Sequence, residues 1–184
     1  RQLALDGPVP VALKRRGEWQ GRLLRVANGV YATVPAGADP RNFEPDMFLA
    51  AAAIRPDAVF AYHSALDLLG QAHSVWWVCT VCTAHRRPPV VFRRSKIKFL
   101  LHPPAVRTRS APAGPKFGAL WTTTVFRGAR TLRVTTPERT LVDGFRELGL
   151  VGGLDELVES IDGFANLNPD ALTEVLHAYG NRRL

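Results

Sequence analysis

The sequence predicts an α+β chain: a basic helix-and-hairpin unit, then a mixed α/β domain with a positively charged β-sheet and its helices at the C-terminal end. Three observations carry that prediction. Asn28-Gly29 sits between two short apolar runs, and both residues tolerate positive φ, which makes a strong hairpin signal. Residues 74–135 hold runs of Val, Thr, Trp and Phe bounded by Pro and Gly, the composition of strands. From Thr136 onward the apolar residues recur three and four apart, the period of amphipathic helices. With 184 residues, 46% of them apolar, the chain can build a packed core of one domain or one and a half.

In chain order, residues 10–19 read as a short helix, with Val11, Leu13 and Trp19 inward, Lys14, Arg15 and Arg16 outward and Gly17 near its end. Residues 21–26 and 30–34 are the two arms of the Asn28-Gly29 hairpin. A basic helix followed by a basic-tipped hairpin is the back half of a winged helix, whose helix enters the major groove while the wing touches phosphate or the minor groove. An ordinary surface hairpin carries the same turn signal. The expectation is a partial winged helix-turn-helix over residues 1–37, its front helices missing; because the chain opens on Arg1, it reads as trimmed. Residues 36–41 are a polar Gly- and Pro-bearing linker, and residues 42–184 are expected as the α/β domain.

In that domain Pro45, flanked by Glu44 and Asp46, suits the first turn of a buried helix over residues 47–54, which Pro56 stops. Residues 58–61 read as a short strand and 63–69 as a helix capped by Ser64 and closed by Gly70. Residues 74–81 read as a buried strand. Residues 90–101 read as one long strand, with Lys and Arg alternating against Ile97, Phe99 and Leu101 in its latter half. A loop follows over 103–115, and Arg127-Gly128 sits between strands over 120–126 and 131–135. All these strands are expected in one sheet with the basic residues on its solvated face. Thr136 is an N-cap before Pro137, with Leu141, Val142 and Phe145 inward. Leu154, Leu157, Val158 and Ile161 mark the next helix, and Asn168-Pro169 opens the last, with Leu172, Val175, Leu176 and Tyr179 inward.

Charge is unevenly placed. Residues 85–133 hold twelve Lys or Arg and no Asp or Glu; the rest of the chain holds 12 basic against 16 acidic residues, and the sum is +8. Such a separation steers association with polyanions. The sequence-reading contacts to double-stranded DNA are expected from Lys14, Arg15, Arg16, Arg22, Arg25 and Asn28, with added backbone contact from Arg86, Arg87, Arg93, Arg94, Lys96 and Lys98. Two cysteines build no disulfide framework, no apolar run approaches the ~20 residues of a membrane span, and no signal peptide is visible. A cytoplasmic location and no membrane partner follow as expectations.

Catalytic chemistry is not expected. Cys79 and Cys82 have the spacing of half a zinc site with His85 beyond them, but positions three apart on a strand point to opposite faces and no second pair exists. His63-Ser64 near Asp67 lacks both triad geometry and an oxyanion turn, so Ser64 is read as a cap. Metal-dependent phosphate chemistry needs clustered carboxylates and usually a Lys. The basic tract has no acids, no Lys follows Lys116, and no Gly-rich phosphate loop carries a Lys. No metal, cofactor or enzymatic role is therefore assigned.

Arg25-Val26-Ala27-Asn28-Gly29-Val30-Tyr31 resembles the wing of AbiEi-type antitoxins, winged-helix proteins of bacterial type IV toxin–antitoxin pairs. Tyr62-His63-Ser64-Ala65-Leu66-Asp67-Leu68-Leu69-Gly70 resembles the "SAL" helix that opens that family's second domain. Val134-Thr135-Thr136-Pro137-Glu138-Arg139-Thr140-Leu141-Val142-Asp143 is similar to its T-x-P-E-R-T-L-V-D helix start. The three occur in family order and together span essentially the whole chain. The resemblance implies autorepression through operator repeats upstream of the toxin–antitoxin genes, and a second domain tied to neutralising a nucleotidyltransferase-like toxin. The expected state is a monomer or weak dimer, cooperative on DNA. Two rival readings remain: an antitoxin that sequesters its toxin by direct contact, and an RNA-binding module or degenerate nuclease.

Overall fold

In the computed structural model, the structure describes Arg16 and residues 20–107 and 121–180. Strands β1 (Leu23–Ala27) and β2 (Val30–Thr33) form a two-stranded antiparallel sheet. Helix α1 (Met47–Ile54), strand β3 (Val59–Phe60), helix α2 (His63–Leu68) and strands β4 (Val78–Thr83), β5 (Val90–Phe92) and β6 (Ser95–Leu101) follow. A single turn, α3 (Pro104–Arg107), then strands β7 (Thr122–Arg127) and β8 (Arg130–Thr135) lead into helices α4 (Pro137–Arg146), α5 (Leu154–Asp162) and α6 (Pro169–Tyr179). The second sheet has six strands in the order β5-β6-β4-β3-β8-β7. Its pairs are antiparallel except β4 with β6 and β3 with β8. The chain is thus α+β, with a mixed sheet and helices at the C-terminal end.

Both faces of the large sheet are covered. Phe60, Val81, Ile97, Phe99, Leu132 and Val134 fill one face under α1, and Val26 of the hairpin joins this core. Val59 and Cys82 fill the other with Leu66, Leu141 and Leu157 from the helices. α1 is apolar almost all round, with mainly Ala and large apolar side chains, because it is sandwiched between hairpin and sheet. Asp46 caps it by accepting from the backbone N–H groups of Phe48 (2.9 Å) and Leu49 (3.1 Å). At α4 the expected cap is found: the Thr136 hydroxyl accepts from the Arg139 N–H at 3.4 Å, with Pro137 behind it. Asn168 caps α6 through the N–H groups of Asp170 and Ala171.

Several local expectations are corrected. The strand expected over 74–81 starts at Val78, because Trp76 leaves the sheet to stack on His63. The single strand expected over 90–101 is a hairpin, β5 and β6, turning at Arg93-Arg94 with Arg93 at φ +52°. Ser64 is no cap: it lies within α2, buried, and its hydroxyl accepts from the Thr80 N–H of β4 at 2.7 Å. Phe145, expected inward, faces outward at 41% exposure; on α5, whose spacing is as expected, Leu157 is buried while Leu154 and Val158 are exposed at 50% and 49%. At Asn28-Gly29 only Gly29 has positive φ (+77°), and the strands are matched by an irregular register between Arg25 and Ala27 instead of a turn with two left-handed residues. The helix read over residues 10–19, and with it the helix-turn-helix, lies outside the described residues apart from Arg16, whose carbonyl accepts from the Gln20 N–H at 3.0 Å.

Candidate nucleic-acid interface

The hairpin presents its cations by strand alternation. Val26 turns into the core and Arg25 beside it is exposed. The Arg25 Nη2 donates to Asn28 Oδ1 at 3.2 Å, which holds the guanidinium along the turn. Arg22 is exposed just before β1, while its carbonyl accepts from the Val34 N–H at 2.9 Å and so continues the pairing beyond β2. Arg16 is exposed. Lys14 and Arg15 lie outside the described residues.

Among the described residues, seven cations of the basic tract fall into two groups that sequence reading did not separate. In one group the cations fasten the segment before α1 to the sheet. Arg93 donates to the carbonyls of Phe43 and, at 2.5 Å, Pro40. Arg94 lies 3.6 Å over the Trp77 ring and 3.7 Å from the Glu44 carboxylate. Arg127 donates to Asp46 at 2.6 Å and sits 4.4 Å over Phe48. A run without internal acids therefore finds acids and carbonyls some 50 to 80 residues away. In the other group the cations make no ion pair among the described residues. Lys96 is exposed and Lys98 half-buried on the same face of β6, because Ser95, Ile97 and Phe99 take the inward positions. Arg86 is exposed after β4, and Arg87 lies 5.7 Å from the Phe99 ring centre.

Buried polar side chains lie on the helical side of the sheet. Arg139 and Asp143, one turn apart on α4 and both buried, pair at 3.2 Å, and the Tyr179 hydroxyl donates to the other Asp143 oxygen at 2.7 Å. Burial pushes the Asp143 carboxyl above the ordinary carboxylate range, and Arg139 acts against that push. Thr135 and Thr140 share a hydroxyl hydrogen bond at 2.7 Å, and the Glu138 carboxylate accepts from the Asn168 N–H at 3.0 Å. Every polar residue of the Thr135–Asp143 segment is thus engaged within the fold. Sequence reading had only the Thr136 cap as a signal for this, since the partners on α6 are remote in the chain.

A second buried group surrounds His63. It stacks on Trp76 with ring centres 4.7 Å apart, and its Nε2 lies 3.2 Å from the Ser74 hydroxyl and 3.4 Å from the Glu156 carboxylate. Ser74 and Glu156 meet the same ring nitrogen, whereas a nucleophile triad uses one nitrogen for each partner. Desolvation lowers the His63 pKa from its ordinary value, so the ring is held neutral. Glu156 also accepts from the N–H groups of His73 (2.8 Å) and Ser74 (3.2 Å), which closes this loop against α5. Cys79 and Cys82 are buried in the cores on opposite faces of the sheet, and burial raises the Cys82 thiol to about 12. Among the described residues no group of three or more His, Cys, Asp or Glu is placed to hold a metal, and no helix is long and apolar enough to cross a membrane.

No family model matches the chain, and no curated protein matches it.

Proposed function

We propose that this chain is a sequence-specific DNA-binding autorepressor and the antitoxin of a bacterial type IV toxin–antitoxin pair, acting in the cytoplasm against a nucleotidyltransferase-like toxin. The observation that carries the reading is the β1–β2 hairpin, with Arg22 and Arg25 exposed and Val26 rooted in the core of the neighbouring sheet. A basic hairpin seated in the core, after a basic segment that the sequence reads as a helix, suits a wing lying on the phosphate backbone. Lys14, Arg15, Arg16, Arg22, Arg25 and Asn28 are the proposed operator contacts. Arg87 and Lys96 add backbone charge, and Arg93 and Arg94 hold the hairpin side of the molecule in place. The reading involves no catalysis.

Triple charge reversal of Arg16, Arg22 and Arg25 to Glu tests it in a mobility-shift assay on the DNA upstream of the gene pair. The expected result is loss of the shifted band. The single Arg→Ala variants should each lower the slope of log affinity against log salt by about 1. An unchanged shift after triple reversal would remove the wing assignment.

A direct protein contact with the toxin has its own support. Leu154 and Val158 are exposed four residues apart on α5, among Asp155, Glu159 and Asp162. Such a face suits a partner with a basic surface and an apolar centre. Co-purification with the toxin that Leu154→Lys plus Val158→Lys abolishes, with operator binding retained, would favour that reading.

A further inference from the structure

A cleft of about 400 Å³ opens between β6 and the C-terminal end of α4. Lys98 lines it from β6, Arg86 from the turn after β4, and Arg146 from the last turn of α4. Leu100, Leu150, Pro103 and Pro104 supply apolar wall. Two carboxylates also line it, the buried Asp143 and Glu147. Asp143 is already engaged by Arg139 and by the Tyr179 hydroxyl. With Asp143 already paired to the buried Arg139, the three lining cations face one further carboxylate, Glu147, a surplus of two. Arg86 and Lys98 make no ion pair among the described residues. Tyr62, at the same cleft, holds φ +59° and ψ −136°, a conformation that side-chain-bearing residues rarely adopt. Residues held this way collect at ligand sites, where the surrounding fold sustains the strain.

We infer that this cleft binds a small organic phosphate of mononucleotide size, its phosphate between Arg86, Lys98 and Arg146 and its apolar body against Leu100, Leu150 and Pro103. Three points select this class. The volume falls in the range of small-molecule sites, roughly 300–1,000 Å³. A phosphate monoester carries a charge of about −1.5 to −2 at neutral pH, which matches the surplus, whereas a simple carboxylate carries half of it. Two guanidinium forks and an ammonium suit the three oxygens of a terminal phosphate. The site lies on the helix-covered side of the sheet and uses none of the hairpin residues proposed for operator contact, but it takes Arg86 and Lys98, two of the cations expected from the sequence to touch the DNA backbone.

Isothermal titration of the whole chain tests the site with AMP, GMP, adenosine and inorganic phosphate as probes. A nucleoside monophosphate should bind, with adenosine silent and inorganic phosphate weaker. Arg86→Gln and Lys98→Gln should each weaken binding roughly tenfold, the loss of one charge-assisted contact. Their melting profiles without ligand should match the parent, since both side chains reach solvent. Leu150→Ala should weaken the nucleotide and leave phosphate unchanged. The inference is overturned if neither monophosphate binds, if inorganic phosphate binds equally well, or if the Gln variants keep full affinity. It is also overturned if those variants lose operator binding while AMP binding stays intact, because Arg86 and Lys98 would then be DNA contacts.

Discussion

Arg139 and Asp143 show what a single buried ion pair demands of its surroundings. Both are removed from water, where two charges lose more hydration than their attraction returns unless the remaining hydrogen-bonding capacity is met. Tyr179 helps meet it at Asp143. Arg139→Met should therefore strand a buried carboxylate and destabilise the fold by about 3–5 kcal/mol in denaturant unfolding, while Tyr179→Phe should cost about 1–3 kcal/mol. His63 supplies a pH signature. Its folded pKa lies below the ordinary 6.5, so the unfolded chain takes up the proton more readily. Stability from this group is full above pH 6.5 and falls as the pH drops through and below that value. His63→Gln should flatten that part of the stability curve; an unchanged slope would show that the neutral ring is not its source.

At the level of elements, side chains do work that backbone ladders leave undone. Ser64 takes the Thr80 N–H, so α2 is stitched to β4 by a hydroxyl. Ser64→Ala leaves a buried donor unpaired and should cost about 1–3 kcal/mol, read by urea unfolding. The start of β3 and the end of β4 share a similar brace. Asp57 accepts from Arg55 at 2.6 Å and from the Ala84 N–H at 3.0 Å, and the Arg55 guanidinium holds its carboxyl down at about 2. A depressed carboxyl stabilises above its ordinary value of 3.8 and loses that contribution as the pH falls toward 2. Asp57→Asn should remove this acid limb of the melting curve without altering the neutral-to-basic limb.

At the scale of the whole molecule, part of the positive charge is internal scaffolding. Arg93, Arg94 and Arg127 bind the segment from Pro40 to Phe48 to the large sheet, and Val26 seats the hairpin in the same core. Arg93→Ala should raise amide exchange across residues 40–46 and in β1 while leaving α4 to α6 protected. If the hairpin is the wing, the same change should weaken operator binding with little change in its salt slope, since Arg93 gives its donors to carbonyls of the chain itself.

Local pattern was enough to read the Asn28-Gly29 hairpin, the buried α1, the Thr136 and Asn168 caps and the opposite facing of Cys79 and Cys82. Each depends on residues within a few positions, where propensity and alternation act. The same short range explains the misreadings. Nothing near Arg93 shows that it turns a hairpin, because its preference is overridden by Pro40 and Phe43, which accept its hydrogen bonds from another part of the chain. Trp76 reads as strand until His63 offers a ring to stack on, and Ser64 reads as a cap until the Thr80 N–H arrives beside it. Charge could be counted residue by residue along the tract, but not divided between binding and bracing. That division depends on which distant acids and carbonyls the fold brings within about 3–4 Å, the reach of a hydrogen bond or ion pair.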